Sequence, residues 1–234
     1  MKKFILAFIT LFIMTSASLA DSNVYITQSG AALDLDITLD GNANAVGASN
    51  DRTLLTGANL DVDIDLIGAT NTITGDFIGT GESGSDDLKI SQTGSTNTTA
   101  LNVGASASTD DVKILETRVG SSGVTSYIIG STATVQDVSV TVDVVGDDID
   151  IALTENSSSS GSDKTTDIDI ATDSDDVDII VTHTGAGAHK TKLLCTGSCA
   201  GSDFTMSQTG SNSTDVDLVV TNAAGSDVDI TITD

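Results

Sequence analysis

Few side chains in this 234-residue chain are of a type and spacing that could do chemistry. His183, His189, Cys195 and Cys199 fall close together beside Lys190 and Lys192, and histidine with cysteine is a zinc-ligand set. Their spacing matches no finger or ribbon pattern, so they are assigned no metal. A Cys195–Cys199 disulfide around the Thr-Gly-Ser turn is the expectation for an exported chain. His183 stands two residues before Gly185, as Gln28 and Gln208 stand two residues before Gly30 and Gly210, and reads as a member of the same turn row. Carboxylates occur everywhere, and 31 of the 34 acids are aspartate. Paired carboxylates therefore mark no site: catalysis needs singular residues, and this chain offers repetition. No Gly-x-Ser-x-Gly elbow, phosphate loop or ordered triad is present, so no catalytic residue, no cofactor and no enzymatic activity are expected. Rows of aspartate could collect Ca²⁺ weakly, but the chain has neither an EF-hand loop nor a Gly-Gly-x-Gly-x-Asp calcium repeat.

The elements that carry these residues follow from composition and pattern. Net charge is −25, with only nine lysines and arginines, which excludes nucleic acid as a partner and sets the chain against anionic membranes. Proline is absent, as suits a chain that must donate an N–H almost everywhere along a ladder. Aromatics are 3% of residues; after the first twelve residues only Tyr25, Phe77, Tyr127 and Phe204 remain, too scattered for a sugar-stacking surface. The first twenty residues, MKKFILAFITLFIMTSASLA, read as a secretory signal peptide: Lys2 and Lys3, an apolar run, then small residues before cleavage after Ala20. Cleavage takes the charge from −25 to −27. No later run is long enough to span a bilayer as a helix, so residues 21–234 are expected to be secreted, without membrane insertion.

Past residue 21 the pattern has period two. Leu33, Leu35, Ile37 and Leu39 alternate with Asp34, Asp36 and Thr38; Leu60, Val62, Ile64 and Leu66 alternate with three aspartates. Such alternation specifies strands with one apolar face. The predicted core takes Leu35, Ile37, Val62, Ile64, Leu88, Ile90, Val140, Val142, Ile168, Ile170, Val177, Ile179, Phe204, Met206, Val228 and Ile230. Gly41, Gly68, Gly94, Gly120 and Gly146 follow at steps of 27, 26, 26 and 26 residues. A further step reaches Thr172, after which the phase blurs, with Gly185 and Gly210 out of step. A period in the twenties denotes stacked repeats. The expected fold is all-β, a β-solenoid of stacked two-strand coils with a repeat of about 26 residues, eight coils giving a rod of roughly 40 Å. Asn156–Lys164 reads as a solvated loop.

Three segments go beyond alternation: SNVYITQSG from Ser22 to Gly30, DLKISQTG with Asn97 following, and SDFTMSQTG from Ser202 to Gly210. Their common form is Gln, one residue, Gly at the end of an alternating strand, with Ser and five intervening residues ahead of Gln in the first and third and Asn shortly after Gly in the second and third. This resembles the curlin repeat, the unit of bacterial curli fibres. Ser22, Gln28 and Gly30, then Gln92, Gly94 and Asn97, then Ser202, Gln208 and Gly210 match that pattern; Gly41 with Asn44 and Gly68 with Asn71 keep the turn but replace Gln by Leu39 and Leu66. The departures are a longer period, aspartate in place of Gln and Asn, and no targeting stretch between Ala20 and Ser22. Independently of the resemblance, a buried Gln stacked on a Gln one coil away would form an amide ladder, with glycine supplying positive φ at the corner.

Like charges about 5 Å apart on successive coils cost about 0.8 kcal/mol per pair in water, less with salt. The acidic face therefore reads as solubilising. The expected function is self-assembly: the first coil and the strand Val228–Ile232 expose unpaired backbone, and open edges template another copy. The resemblance implies an extracellular fibre in biofilm matrix or surface adhesion, with partners in copies of itself, related subunits, an outer-membrane secretion pore and chaperones. The alternative is a monomeric secreted acidic solenoid, an adhesin or surface-layer protein stabilised by calcium.

Overall fold

The computed structural model describes residues 22–30, 32–47, 53–79, 86–104, 109–130, 135–157, 163–173, 176–185, 187–210, 214–221 and 224–233. The expected signal peptide lies outside the described residues. Within them the chain forms strands and turns only: β1 (Ser22–Val24), β2 (Thr27–Ser29), β3 (Asp34–Asp40), β4 (Ala43–Val46), β5 (Thr53–Gly57), β6 (Asp61–Ile67), β7 (Thr70–Gly79), β8 (Asp86–Thr93), β9 (Thr96–Val103), β10 (Thr109–Gly120), β11 (Ser122–Ile129), β12 (Val135–Gly146), β13 (Ile149–Ser157), β14 (Asp163–Asp173), β15 (Val177–Gly185), β16 (Ala188–Ser198), β17 (Asp203–Thr209), β18 (Thr214–Val220) and β19 (Asp227–Thr233).

All these strand pairs are parallel, and from β5 onward successive strands alternate between two sheets. One sheet runs β1-β4-β7-β9-β11-β13-β15-β17-β19, with β2 and β5 completing the layers of β1 and β4; the other runs β3-β6-β8-β10-β12-β14-β16-β18 in space. The chain is a β-solenoid whose register repeats every 26 residues over its middle: Gly120 lies opposite Gly146, and Val142 opposite Ile168. Parallel strands need a crossover, and here each crossover is a strand of the opposite sheet. Period-two alternation turns one side of every strand inward, so the core is a set of rows running along the stack. Ile37, Ile64 and Ile90 form one row; Leu35, Val62 and Leu88 form another. Each buried Val, Leu or Ile contributes about 1.5–3 kcal/mol of transfer free energy.

Fourteen of the sixteen predicted core residues are buried; Val228 and Ile230 are 42% and 45% exposed. They have inward parity, opposite Phe204 and Met206, but they lie on β19, the outermost described strand of its sheet, with no described layer beyond it.

The glycine steps of 26 are real, but the reason differs from the expected one. None of Gly41, Gly68, Gly94, Gly120 and Gly146 has positive φ. They stack instead: a Cβ on Gly94 would lie 1.9 Å from the Gly68 carbonyl oxygen, and one on Gly120 would lie 2.0 Å from that of Gly94. Close approach of coils, not backbone handedness, demands glycine. Gly185 and Gly210 fall out of step because they occupy the opposite corner, at the ends of the strands paired as β15 and β17. The expected loop 156–164 is shorter than read: β13 extends to Ser157, β14 begins at Asp163, and Lys164 is buried.

Candidate functional site

The side chains that fix how one coil sits on the next are the candidate site. At the corner entering one sheet, Ser22, Asn44, Asn71 and Asn97 share a register position. The three asparagines are carried there by strand starts, each three residues past a stacked glycine, Gly41, Gly68 or Gly94. The Asn44 amide donates to the Asn71 carbonyl oxygen at 3.0 Å, and Asn71 to Asn97 at 2.9 Å. The same amides also donate to backbone oxygens of the adjoining corner, Asn44 to Ile67 at 2.9 Å, Asn71 to Thr93 at 3.0 Å and Asn97 to Val119 at 3.2 Å. All three asparagines are buried. An amide supplies both donor and acceptor, so a column of them satisfies itself along the stack.

The glutamine ladder does not form. Gln28 and Gln208 lie in one sheet and Gln92 in the other, and none of them is paired with another glutamine. Gln28 lies opposite Leu55, Gln92 lies between Leu66 and Arg118, and Gln208 lies between His183 and Ile232. The three motif copies share a sequence pattern but not a layer position, because a half-coil offset leaves strand parity intact while exchanging sheets. Gln92 serves another purpose: its amide donates to the Thr98 backbone oxygen at 3.3 Å, and its own oxygen lies 3.2 Å from the Thr99 hydroxyl. Ser22 is half-buried, whereas Ser202 is buried just ahead of β17.

The asparagine column stops at Gly123, which lies opposite Asn97. A Cβ there would meet the Arg118 guanidinium carbon at 2.6 Å, so the missing side chain makes room for a buried cation. Glu116 and Arg118 point inward because they share the parity of Val112 and Ile114, while Val119 is turned out. The Glu116 carboxylate accepts from Thr99 at 2.8 Å, Thr125 at 3.0 Å and Tyr127 at 2.9 Å. Arg118 donates to the Thr125 hydroxyl at 2.9 Å. Burial lowers the Arg118 pKa, with Glu116 acting against that shift. Burial, and then the charge of Glu116, hold the Tyr127 phenol well above its ordinary value. A buried carboxylate with several donors and a nearby guanidinium is the arrangement in which such charges are tolerated.

A second polar column occupies the opposite corner. Successive layers there place Glu155 on β13, His183 on β15 and Gln208 on β17 in one sheet, and Lys164 on β14, His189 on β16 and Thr214 on β18 in the other. His183 sits on Gln208, as its place before glycine implies. The two imidazoles stack with centroids 5.0 Å apart, and His183 Nε2 lies 3.6 Å from Glu155 and 3.3 Å from the Thr166 hydroxyl. Gln208 donates to the Thr214 hydroxyl. Burial pushes Glu155 up to about 8, with Lys164 opposing, and drives His183 down to about 3, with His189 and Lys164 adding to the shift.

Cys195 and Cys199 are joined by a disulfide closing the corner after β16, with Cα atoms 6.4 Å apart. Neither is near enough to complete a metal site with the histidines: among the described residues no group of three or more His, Cys, Asp or Glu is arranged to hold a metal. The aspartates lie outward in rows. Asp34, Asp61 and Asp87 form one, continued by Lys113; Asp150, Asp178, Asp203 and Asp227 form another. Lys89 on β8 interrupts the acidic face of the sheet that holds β3 and β6, 3.2 Å from Asp63 and 3.7 Å from Asp61, and its pKa rises through those contacts. Burial first, and then Asp178, Asp148 and Asp176, raise the Asp150 pKa.

Glu116, Arg118, Tyr127, Glu155 and Lys164 are the residues that reading the pattern for apolar rows passes over. Their signal was parity: each falls where the strand's neighbours two residues away point inward. No family model matches this chain, and no curated protein or solved structure matches it either.

Proposed function

We propose that this chain is a secreted structural protein that self-assembles by stacking, forming extracellular fibres of the curli type for adhesion and matrix. One observation carries the reading: every strand pair among the described residues is parallel, and the Asn44–Asn71–Asn97 column joins its layers amide to amide. A contact of that kind works between chains as it works within one. Among the described residues β18 and β19 are the outermost strands at one end, each pairing on one side only. Val228, Ile230 and Ile232 there are exposed, and Val228 and Ile230 line an apolar groove with Phe204, Met206, Val216 and Leu218. Unpaired strand edges backed by apolar side chains favour strand addition. The outward aspartates oppose that addition, which makes assembly dependent on salt.

The test is negative-stain microscopy with amyloid-dye binding on the purified chain lacking residues 1–20, at low and high salt, with and without Ca²⁺. Filaments without Ca²⁺, faster at high salt, support the proposal. Monomers under every condition overturn it and favour an acidic monomeric adhesin.

A further inference from the structure

We propose that His183, His189, Glu155 and Lys164 form an acid-sensitive lock on the later coils, closed only while both imidazoles are neutral. This does not depend on fibre assembly, since it concerns the folding of a single chain. The geometry comes first. His183 and His189 are 1% and 2% exposed and stack face to face, so charging both places two buried cations 5.0 Å apart. The layer on one side holds Glu155 and Lys164, both buried; the layer on the other holds Gln208 and Thr214, which carry no charge. Lys164 is thus a third cation in the same column. Among the described residues Glu155 is the buried carboxyl that faces it, and neither of its oxygens makes a hydrogen bond. Thr166 and Thr191, the remaining buried polar side chains of β14 and β16 beside it, do not titrate.

The two kinds of group work in opposite directions. His183 is held at about 3, against about 6.5 unfolded, so the stability it contributes is complete above about 6.5 and is lost as pH falls toward 3. Burial, then Lys164, lower His189 in the same direction. Glu155 is raised to about 8, so its contribution is present below its unfolded value of 4.5 and is lost as pH rises through 8. The lock therefore has an acid edge set by the imidazoles and an alkaline edge set by the carboxyl.

The chain itself supplies the variant that removes the acid edge, because the adjacent layer presents Gln208 and Thr214 at the same two positions. Hydrogen exchange of the full chain, corrected for intrinsic rate, would compare H183Q/H189T with the unmodified protein at about pH 7 and about pH 5. Relative to the variant, the opening equilibrium of β15 and β16 in the unmodified protein is expected to rise about 30-fold over that interval from His183 alone, with β3 and β6 unaffected. A ratio that stays the same at both pH values overturns the lock. If the variant does not fold, imidazole NMR of the unmodified protein decides: rings still neutral at about pH 5 support it, and both titrating near 6.5 overturn it.

Discussion

The layers from Gly41 to Asn97 and the layers from Glu116 to Gln208 solve one stacking problem in two ways. The earlier layers put like on like: Asn on Asn, Gly on Gly, Ile on Ile. The later ones keep glycine on glycine but put unlike on unlike at their buried polar positions: Glu116 between Ile90 and Val142, Arg118 between Gln92 and Val144, His183 between Glu155 and Gln208. In a column of identical amides each amide can donate to the next, with only the Asn44 oxygen at its end left without a partner, so the column stabilises stacking without specifying which coil meets which. The Glu116 carboxylate finds Thr99, Thr125 and Tyr127 in one register only. Buried polar groups are best attested as devices that set register, at some cost in stability. The comparison therefore assigns cohesion to the earlier layers and register to the later ones.

Removing half of the ionic site should break the comparison most. Glu116→Ala strands a buried guanidinium and is expected to cost about 3–5 kcal/mol in urea unfolding. The double variant E116V/R118V copies the neighbouring Val142 and Val144 and should fall within about 1–2 kcal/mol of the parent, with poorer register visible as broadened amide spectra. Should the double variant lose as much as the single one, the assignment of register to this site is wrong. Asn71→Ala takes away the partner on each side and should cost about 1–3 kcal/mol in the same measurement, felt by both neighbouring layers. The smallest effect belongs to the surface: Lys89→Ala should leave stability at high salt unchanged and lower the thermal midpoint slightly at low salt, where Asp61 and Asp63 lose their screening cation. Equal sensitivity at both salt concentrations would contradict a purely screened surface interaction.

Much of the fold was legible in the sequence because alternation and glycine steps report local geometry. Val62 and Ile64 had to point the same way, and Gly120 and Gly146 had to meet. The motif led astray where it looked strongest. SNVYITQSG and DLKISQTG share parity and corner chemistry, yet they enter different sheets, and no residue inside either segment records which sheet it joins. The candidate site was legible in part: Asn44, Asn71 and Asn97 stood at a constant step past glycine, and Cys195 and Cys199 spanned one turn. The buried charges were not read, since composition places Glu, Lys and Arg outside as a rule.

Taken alone, the sequence determined that the chain would be strands, that they would stack at 26 residues, and that one face of each would be dry. These are properties of neighbours two residues apart and of a repeat, and both are written along the chain. Only the folded molecule decided that asparagine and not glutamine forms the ladder, that Gly123 yields to Arg118, and that His183 meets His189. Those contacts join residues on different coils or opposite sheets, so their partners are set by how the layers are counted across the core.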